Sequence, residues 1–352
     1  MENHWIRQLA TVASLAPSAD NSQPWLLRWD GRSLHVSYAQ RQPQPSVFRA
    51  DSHATLLSIG ALLAHIDAAL KVNRVPAAWH WPANPGAGDP YVSIEVAAGS
   101  ADFLPPRSAI GRHTHRLPFR TDSVPAGVLE RVGGLTEEAA RAVVVADRTR
   151  KIAWADLVRQ ASEARFSNRG LHEWLMSSLR MTPEEAARGD GLDTRTLGLP
   201  PGGLAFMQWI ADWRRLAFLN RFGAYKLLAR GEIALLRKAP AVLLIVAPAD
   251  TRSIIAAGRL MAKAWMELNF RGVAVQPYYA ITDQIDRLRE GTLPTAFTQA
   301  ITGVRARVGE LLPLAPQEML HMMMRLGYPR EPAFRSQRLP LDAVFVDDSR
   351  RR

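Results

Sequence analysis

The chain has 352 residues, 47% hydrophobic and 22% charged, with 44 Lys and Arg against 33 Asp and Glu for a formal charge of +11. That length can bury a substantial core and build two structural units, and the lack of cysteine excludes disulfides, thiolate nucleophiles, iron–sulfur clusters and zinc-thiolate sites. No stretch reads as a bilayer span, and the start at Met1-Glu2-Asn3-His4 carries no basic and apolar leader, so a cytoplasmic protein is expected.

Residues 3–15 read as a helix with Trp5, Leu9, Val12 and Ala13 on one face, ended by Pro17. Two strands, Leu26 to Trp29 and Ser33 to Ser37, flank the hairpin signal Asp30-Gly31. Asp51-Ser52 can cap a helix over 53–72, and Tyr91 to Val96 alternates as a strand. The Gly/Pro-rich stretch 83–90 and Pro105-Pro106 place the close of this first unit near residue 103. In the second unit a helix is expected over 126–133, a strand over 142–146 and a helix over 149–168. A strand apolar throughout follows at 241–247, as in a sheet covered on both faces, then a helix over 251–271 with a left-handed end at Gly272. The run Gly258 to Leu268 echoes Gly60 to Leu70, so the units, 1–103 and 104–348, look like distant repeats of one α+β plan. Inside the second unit, residues 170–238 have no counterpart in the first and read as an insertion, with helices expected over 171–180, 183–188 and 204–237. Two readings stay open for it: a lid, or an extra helical layer that only stabilises.

Arg112-His113-Thr114-His115-Arg116 puts two guanidiniums and a hydroxyl within five residues. Such a loop can surround a phosphate with charge-assisted hydrogen bonds worth about 1.5–3 kcal/mol each. His113-x-His115 lacks a third ligand nearby, so no metal is expected. Pro17-Ser18-Ala19-Asp20-Asn21-Ser22-Gln23-Pro24-Trp25 sets compact hydrogen-bonding groups on an irregular loop, suited to the polar rim of a flat heterocycle or to a local turn. The remaining charge is dispersed apart from Arg350-Arg351-Arg352, which predicts a solvated surface with neither nucleic acid nor membrane as partner.

Together the Pro17-Ser18-x-x-Asn21 and Arg112-x-Thr114-x-Arg116 elements resemble those of the nitroreductase family of FMN enzymes, in inverted order. Two further pieces resemble the family: Gln276-Pro277-Tyr278-Tyr279-Ala280, whose last two backbone positions would face flavin N5, and the tail with Arg335 and Arg338, of which Arg338 is the better match for a phosphate contact. In dimeric members the Pro-Ser-x-x-Asn loop comes from the partner subunit. The resemblance therefore implies a fused, two-lobed, Acg-type chain that forms a pseudo-dimer with a nitroreductase-like fold, either a monomer or a homodimer. It implies FMN with His113 also at the site, NAD(P)H as co-substrate, a small organic acceptor, and no catalytic side chain, since flavin N5 carries the chemistry. Arg169 is the candidate for stabilising reduced flavin near N1/O2. FMN sequestration under a closed lid, and an oxidase or dehydrogenase working without nicotinamide, remain as alternatives.

Overall fold

In the computed structural model of this chain, residues 2–41, 47–86, 88–97 and 102–349 are described; Arg350-Arg351-Arg352 lies outside them. The first stretch runs α1 (Glu2–Ser14), β1 (Trp25–Trp29), β2 (Ser33–Tyr38), α2 (His53–Asn73), β3 (Ala77–His80), β4 (Val92–Val96) and α3 (Arg107–Gly111). Next come α4 (Ala126–Gly133), β5 (Thr136–Glu137), β6 (Ala140–Val145) and α5 (Arg148–Phe166). The insertion holds α6 (Arg169–Ser178), β7 (Leu179–Arg180), α7 (Pro183–Ala187), β8 (Leu192–Asp193), α8 (Gly203–Ile210), α9 (Trp213–Asn220) and α10 (Ala224–Arg237). The chain closes with β9 (Ala241–Pro248), α11 (Thr251–Phe270), β10 (Ala274–Tyr278), α12 (Ala280–Arg289), α13 (Thr298–Leu311), β11 (Glu318–Gly327), α14 (Leu341–Val344) and β12 (Phe345–Asp347).

The α+β reading holds in detail: two five-stranded sheets form, ordered β12-β1-β2-β4-β3 and β10-β11-β9-β6-β5. Strand β9 shows why a run without polar residues is needed. Its alternate residues Ala241, Leu243, Ile245 and Ala247 enter the core shared with α2 and α11, while Val242, Leu244 and Val246 enter a second core with Trp154 of α5, Ile233 of α10 and Val304 of α13. Sequence expectation and structure part at several places. The final strand, inside the segment assigned to the second unit, crosses to the other sheet and pairs parallel with β1, Leu27 opposite Phe345. The expected helix 204–237 is three helices. Asp212 caps α9 by accepting from the Arg214 amide at 2.9 Å, and Gly223, at φ 86°, turns the chain before α10. The expected helix 171–180 stops at Ser178, and Leu179–Arg180 pairs in parallel with Leu192–Asp193.

Helix α2 is long and apolar enough to cross a bilayer by length and composition, contrary to the expectation that no stretch is. Most of it is instead buried within the protein, where α2 and α11 cross at the echoed glycines. A Cβ on Gly60 would lie 2.1 Å from Ile255 O, and one on Gly258 would lie 2.3 Å from Leu57 O. Only a missing side chain allows that approach. The crossing aligns the repeat seen in the sequence: Gly60 and Gly258 meet at one contact. Past the end of α11, Gly272 takes φ 75°, and the Val273 amide donates back to Leu268 O at 2.9 Å, as expected of a left-handed helix end.

Candidate functional site

The loop after α1 is strained. Asp20, Asn21 and Gln23 take φ of 49°, 60° and 48°, a conformation costing about 1 kcal/mol or more per residue outside glycine. Side-chain bonds hold it there. The buried Asn21 amide donates to Gly189 O (3.1 Å), Gly191 O (2.8 Å) and Gln337 O (2.9 Å), and its oxygen accepts from Arg338. Gln23 donates to Gly189 O at 2.7 Å and accepts from the Leu339 amide at 3.0 Å, while the Ser18 hydroxyl accepts from the Gln23 amide at 2.9 Å. Three segments distant in sequence are thus tied at one point: this loop, the insertion strap 179–198, and the C-terminal tail. Gly189 has to be glycine, since a Cβ there would lie 2.1 Å from Arg338 O.

The Arg112 element lies across from that loop in extended form. Its backbone is pinned to α11 and β10: His113 N donates to Asn269 Oδ1 (2.8 Å), Trp265 Nε1 donates to His113 O (2.9 Å), and His115 N donates to Val275 O (2.9 Å). His115 is buried, with Nε2 2.8 Å from Glu331 O, and no group of His, Asp and Glu fit to hold a metal occurs among the described residues.

Between the two elements is a cavity of about 130 Å³. Pro17, Ser18, Asn21, Arg112, His113, Thr114, Arg116, Arg335 and Arg338, nine of the residues expected from the sequence, line it. The buried Arg112 donates to Leu15 O at 3.0 Å and stacks 4.9 Å from the Trp265 ring, while its Nε and Nη1 are buried without a partner among the described residues. Arg338 also donates to Leu15 O (3.2 Å), and its Nε is likewise unpartnered. Both guanidiniums therefore share the carbonyl at the C-terminal end of α1, the negative pole of that helix. Burial pushes the Arg112 pKa well below the usual arginine range, with Arg338 and Arg335 adding repulsion, and burial lowers Arg338 to about 10. Arg116 reaches Thr196 Oγ1 of the strap at 3.3 Å. Arg335 has another role: exposed, it donates to Ile110 O and Gly111 O at the end of α3.

Sequence reasoning passed over Asp20, Leu192, Thr196, Phe334 and Ser336, which also line the cavity. Asp20 stood inside the quoted loop and could have been found. Burial raises its pKa, while the charges of Arg165 and Arg116 pull it down. Thr196 and Leu192 had no signal, because the strap reaches the cavity only through tertiary folding. The segment Gln276, Pro277, Tyr278, Tyr279 and Ala280 is not in the lining. Gln276 accepts from Arg325 Nε at 2.7 Å, and the Tyr278 hydroxyl donates to Glu232 O at 3.3 Å. The Tyr279 ring sits edge-on to His53, 5.9 Å away. His53 in turn bridges Asp286 and His321 at 2.6 Å each. Arg169 points elsewhere, into an exposed pair with Glu173 at 2.8 Å.

No protein-family model and no curated protein matches the chain. Among solved structures it is similar to an FMN-bound nitroreductase from Bacteroides fragilis (12% identity, 66% of this chain and 92% of that one, TM-score 0.37). It is similar to an FMN- and NADPH-dependent nitroreductase from Sphigopyxis sp. strain HMH (18%, 68% and 95%, TM-score 0.37). It is also similar to iodotyrosine deiodinase bound to FMN and 3-iodo-L-tyrosine (17%, 66% and 94%, TM-score 0.36). These likenesses are distant, and the functional reading rests on the cavity's own residues.

Proposed function

We propose that this chain is an FMN-binding oxidoreductase of the nitroreductase type, built as an internal pseudo-dimer, that passes a hydride from NAD(P)H to a small organic acceptor. The observation that carries this reading is the cavity's uncompensated positive charge. Arg112, Arg116 and Arg338 converge there, three buried nitrogens of Arg112 and Arg338 have no partner among the described residues, and Asp20 is the one carboxyl among the described lining residues. Leaving such groups unmatched costs free energy, and a phosphate dianion supplies the acceptors. The residues therefore fit the phosphate end of FMN: Arg112 and Arg338 would hold it, with the Thr114 hydroxyl beside them. Bound flavin would supply the redox chemistry. The strained loop and the strap would fix its position and keep water from the buried guanidiniums.

The crossing of α2 and α11 at Gly60 and Gly258, and the return of β12 to the first sheet, support the pseudo-dimer. A second reading, FMN held and shielded from acceptors, is favoured by the bonds that tie the strap over the cavity through Asn21 and Gln23. One experiment tests both. Purified protein is titrated with FMN, its visible spectrum recorded, and the complex then mixed anaerobically with NADH or NADPH. Absence of any bound flavin would refute both readings. Fast bleaching supports the reductase, and bound flavin that bleaches only slowly supports sequestration.

A further inference from the structure

Half of the twelve large apolar side chains exposed among the described residues fall between Leu204 and Leu227. The helices there have already used their inward faces: Ile210, Leu216, Ala229 and Ile233 are buried. What remains outside is a run of exposed apolar side chains along α8, α9 and the start of α10. Arg215 lies 5.6 Å over the Trp209 ring and donates to Trp209 O at 3.0 Å, Phe218 follows one turn later, and Phe218 meets Phe222 edge-on at 5.4 Å. Phe222 is 78% exposed, on the turn between α9 and α10.

The charge beside this stripe selects its partner. Residues 203–238 hold seven Lys and Arg against Asp212 and Glu232, a surplus of five out of the chain's +11. Both acids are engaged, Asp212 with Arg214 at 3.0 Å and Glu232 with Arg165 at 3.2 Å. Arg221, Lys226 and Arg230 are exposed with no acidic partner among the described residues. A second copy of the chain would bring two such surpluses face to face, which disfavours self-association. Aromatic and aliphatic side chains interleaved with unpaired Arg and Lys are the chemistry of an interfacial membrane contact.

We propose that α8 to α10 form a docking face for an anionic phospholipid surface, with Phe222, Phe218 and Leu227 entering the interfacial layer and Arg221, Lys226 and Arg230 meeting headgroup phosphates. A peripheral contact of this kind needs no spanning segment, departs from the sequence expectation of no membrane partner because the stripe is assembled only in the fold, and is independent of the flavin reading.

The test uses the full chain and vesicles of phosphatidylcholine, either alone or with about 30% phosphatidylglycerol, in co-sedimentation at low and high salt. The protein should pellet with the anionic vesicles at low salt and be released by high salt. Phe222→Asp with Leu227→Asp, and separately Arg221→Glu with Lys226→Glu, should each weaken partition about tenfold or more while thermal midpoints stay unchanged. No pelleting with anionic vesicles would overturn the proposal, as would equal binding to pure phosphatidylcholine or variants that bind like the parent. So would a chain dimer that Phe222→Asp dissolves while vesicles are ignored, because a second copy would then cover this face.

Discussion

Replacing Arg112 by methionine should stabilise the ligand-free protein and weaken its complex with FMN. In the free protein the buried Arg112 leaves Nε and Nη1 unpaired, at a cost of about 1–3 kcal/mol for each. Its bond to Leu15 O and its stacking on Trp265 return about 1–3 kcal/mol together. Methionine fills similar space without the charge and relieves the repulsion from Arg338 and Arg335, so the stripped variant should gain about 1–3 kcal/mol, as when buried charges give way to apolar groups. With FMN the balance reverses. On the proposed reading two charge-assisted bonds to phosphate would be lost, about 3–6 kcal/mol in all, which would weaken affinity roughly a hundred- to ten-thousandfold. Urea unfolding of flavin-stripped protein and fluorescence titration with FMN measure the two quantities. The reasoning fails if the stripped variant loses 2 kcal/mol or more, about the size of a broken native contact, or binds FMN as tightly as the parent.

His65 and His321 are fully buried, and burial lowers their pKa from 6.5 to about 3 and about 4. The unfolded chain takes up a proton at each below about pH 6.5 while the folded chain does not, so stability falls as the pH drops through that window toward 4. Two such groups give a slope of about 2–3 kcal/mol per pH unit there, and equal urea midpoints at pH 7 and pH 5 would contradict it. For Gly60→Ala, the new Cβ would sit 2.1 Å from Ile255 O and force two packed backbones apart; a loss of about 1–3 kcal/mol is expected, and an unchanged unfolding midpoint would show that the crossing can widen freely. Asn21→Asp keeps an acceptor for Arg338 but turns a carboxylate toward three carbonyls. Stability should drop by about 3 kcal/mol with faster amide exchange across 189–193, and unchanged protection there would mean the strap is held by other bonds.

How much was legible depended on range. Helices α1, α2, α4, α5 and α11 and strand β9 could be read within a residue or two, because each buries a face whose period or continuity is written locally. The expected single helix over 204–237 failed because its apolar and basic residues fit any helical phase, and the breaks rest on one capping carboxylate and one glycine. At the cavity, residue types were readable and roles were not. Asn21 was expected as a group on a ligand's rim, and its amide is spent on Gly189, Gly191 and Gln337; Arg335 was expected at a phosphate, and it closes the end of α3.

The sequence by itself determined the α+β composition, the echoed runs of the Gly60 and Gly258 helices, and the two motifs whose inverted order implied opposite walls of one site. Those features depend on local chemistry: which side chains can cap, bury, turn or meet a phosphate. Only the tertiary structure decided that Arg338 and Arg112 share the carbonyl of Leu15, that residues 189 and 191 anchor the motif loop, that β12 closes the first sheet, and that Gln276 to Ala280 stand outside the cavity lining. Each joins residues far apart in the chain, some of them by more than 300 positions. A hydrogen bond of that span leaves no periodic trace in the sequence, because it depends on how whole elements pack and not on the spacing of neighbouring residues.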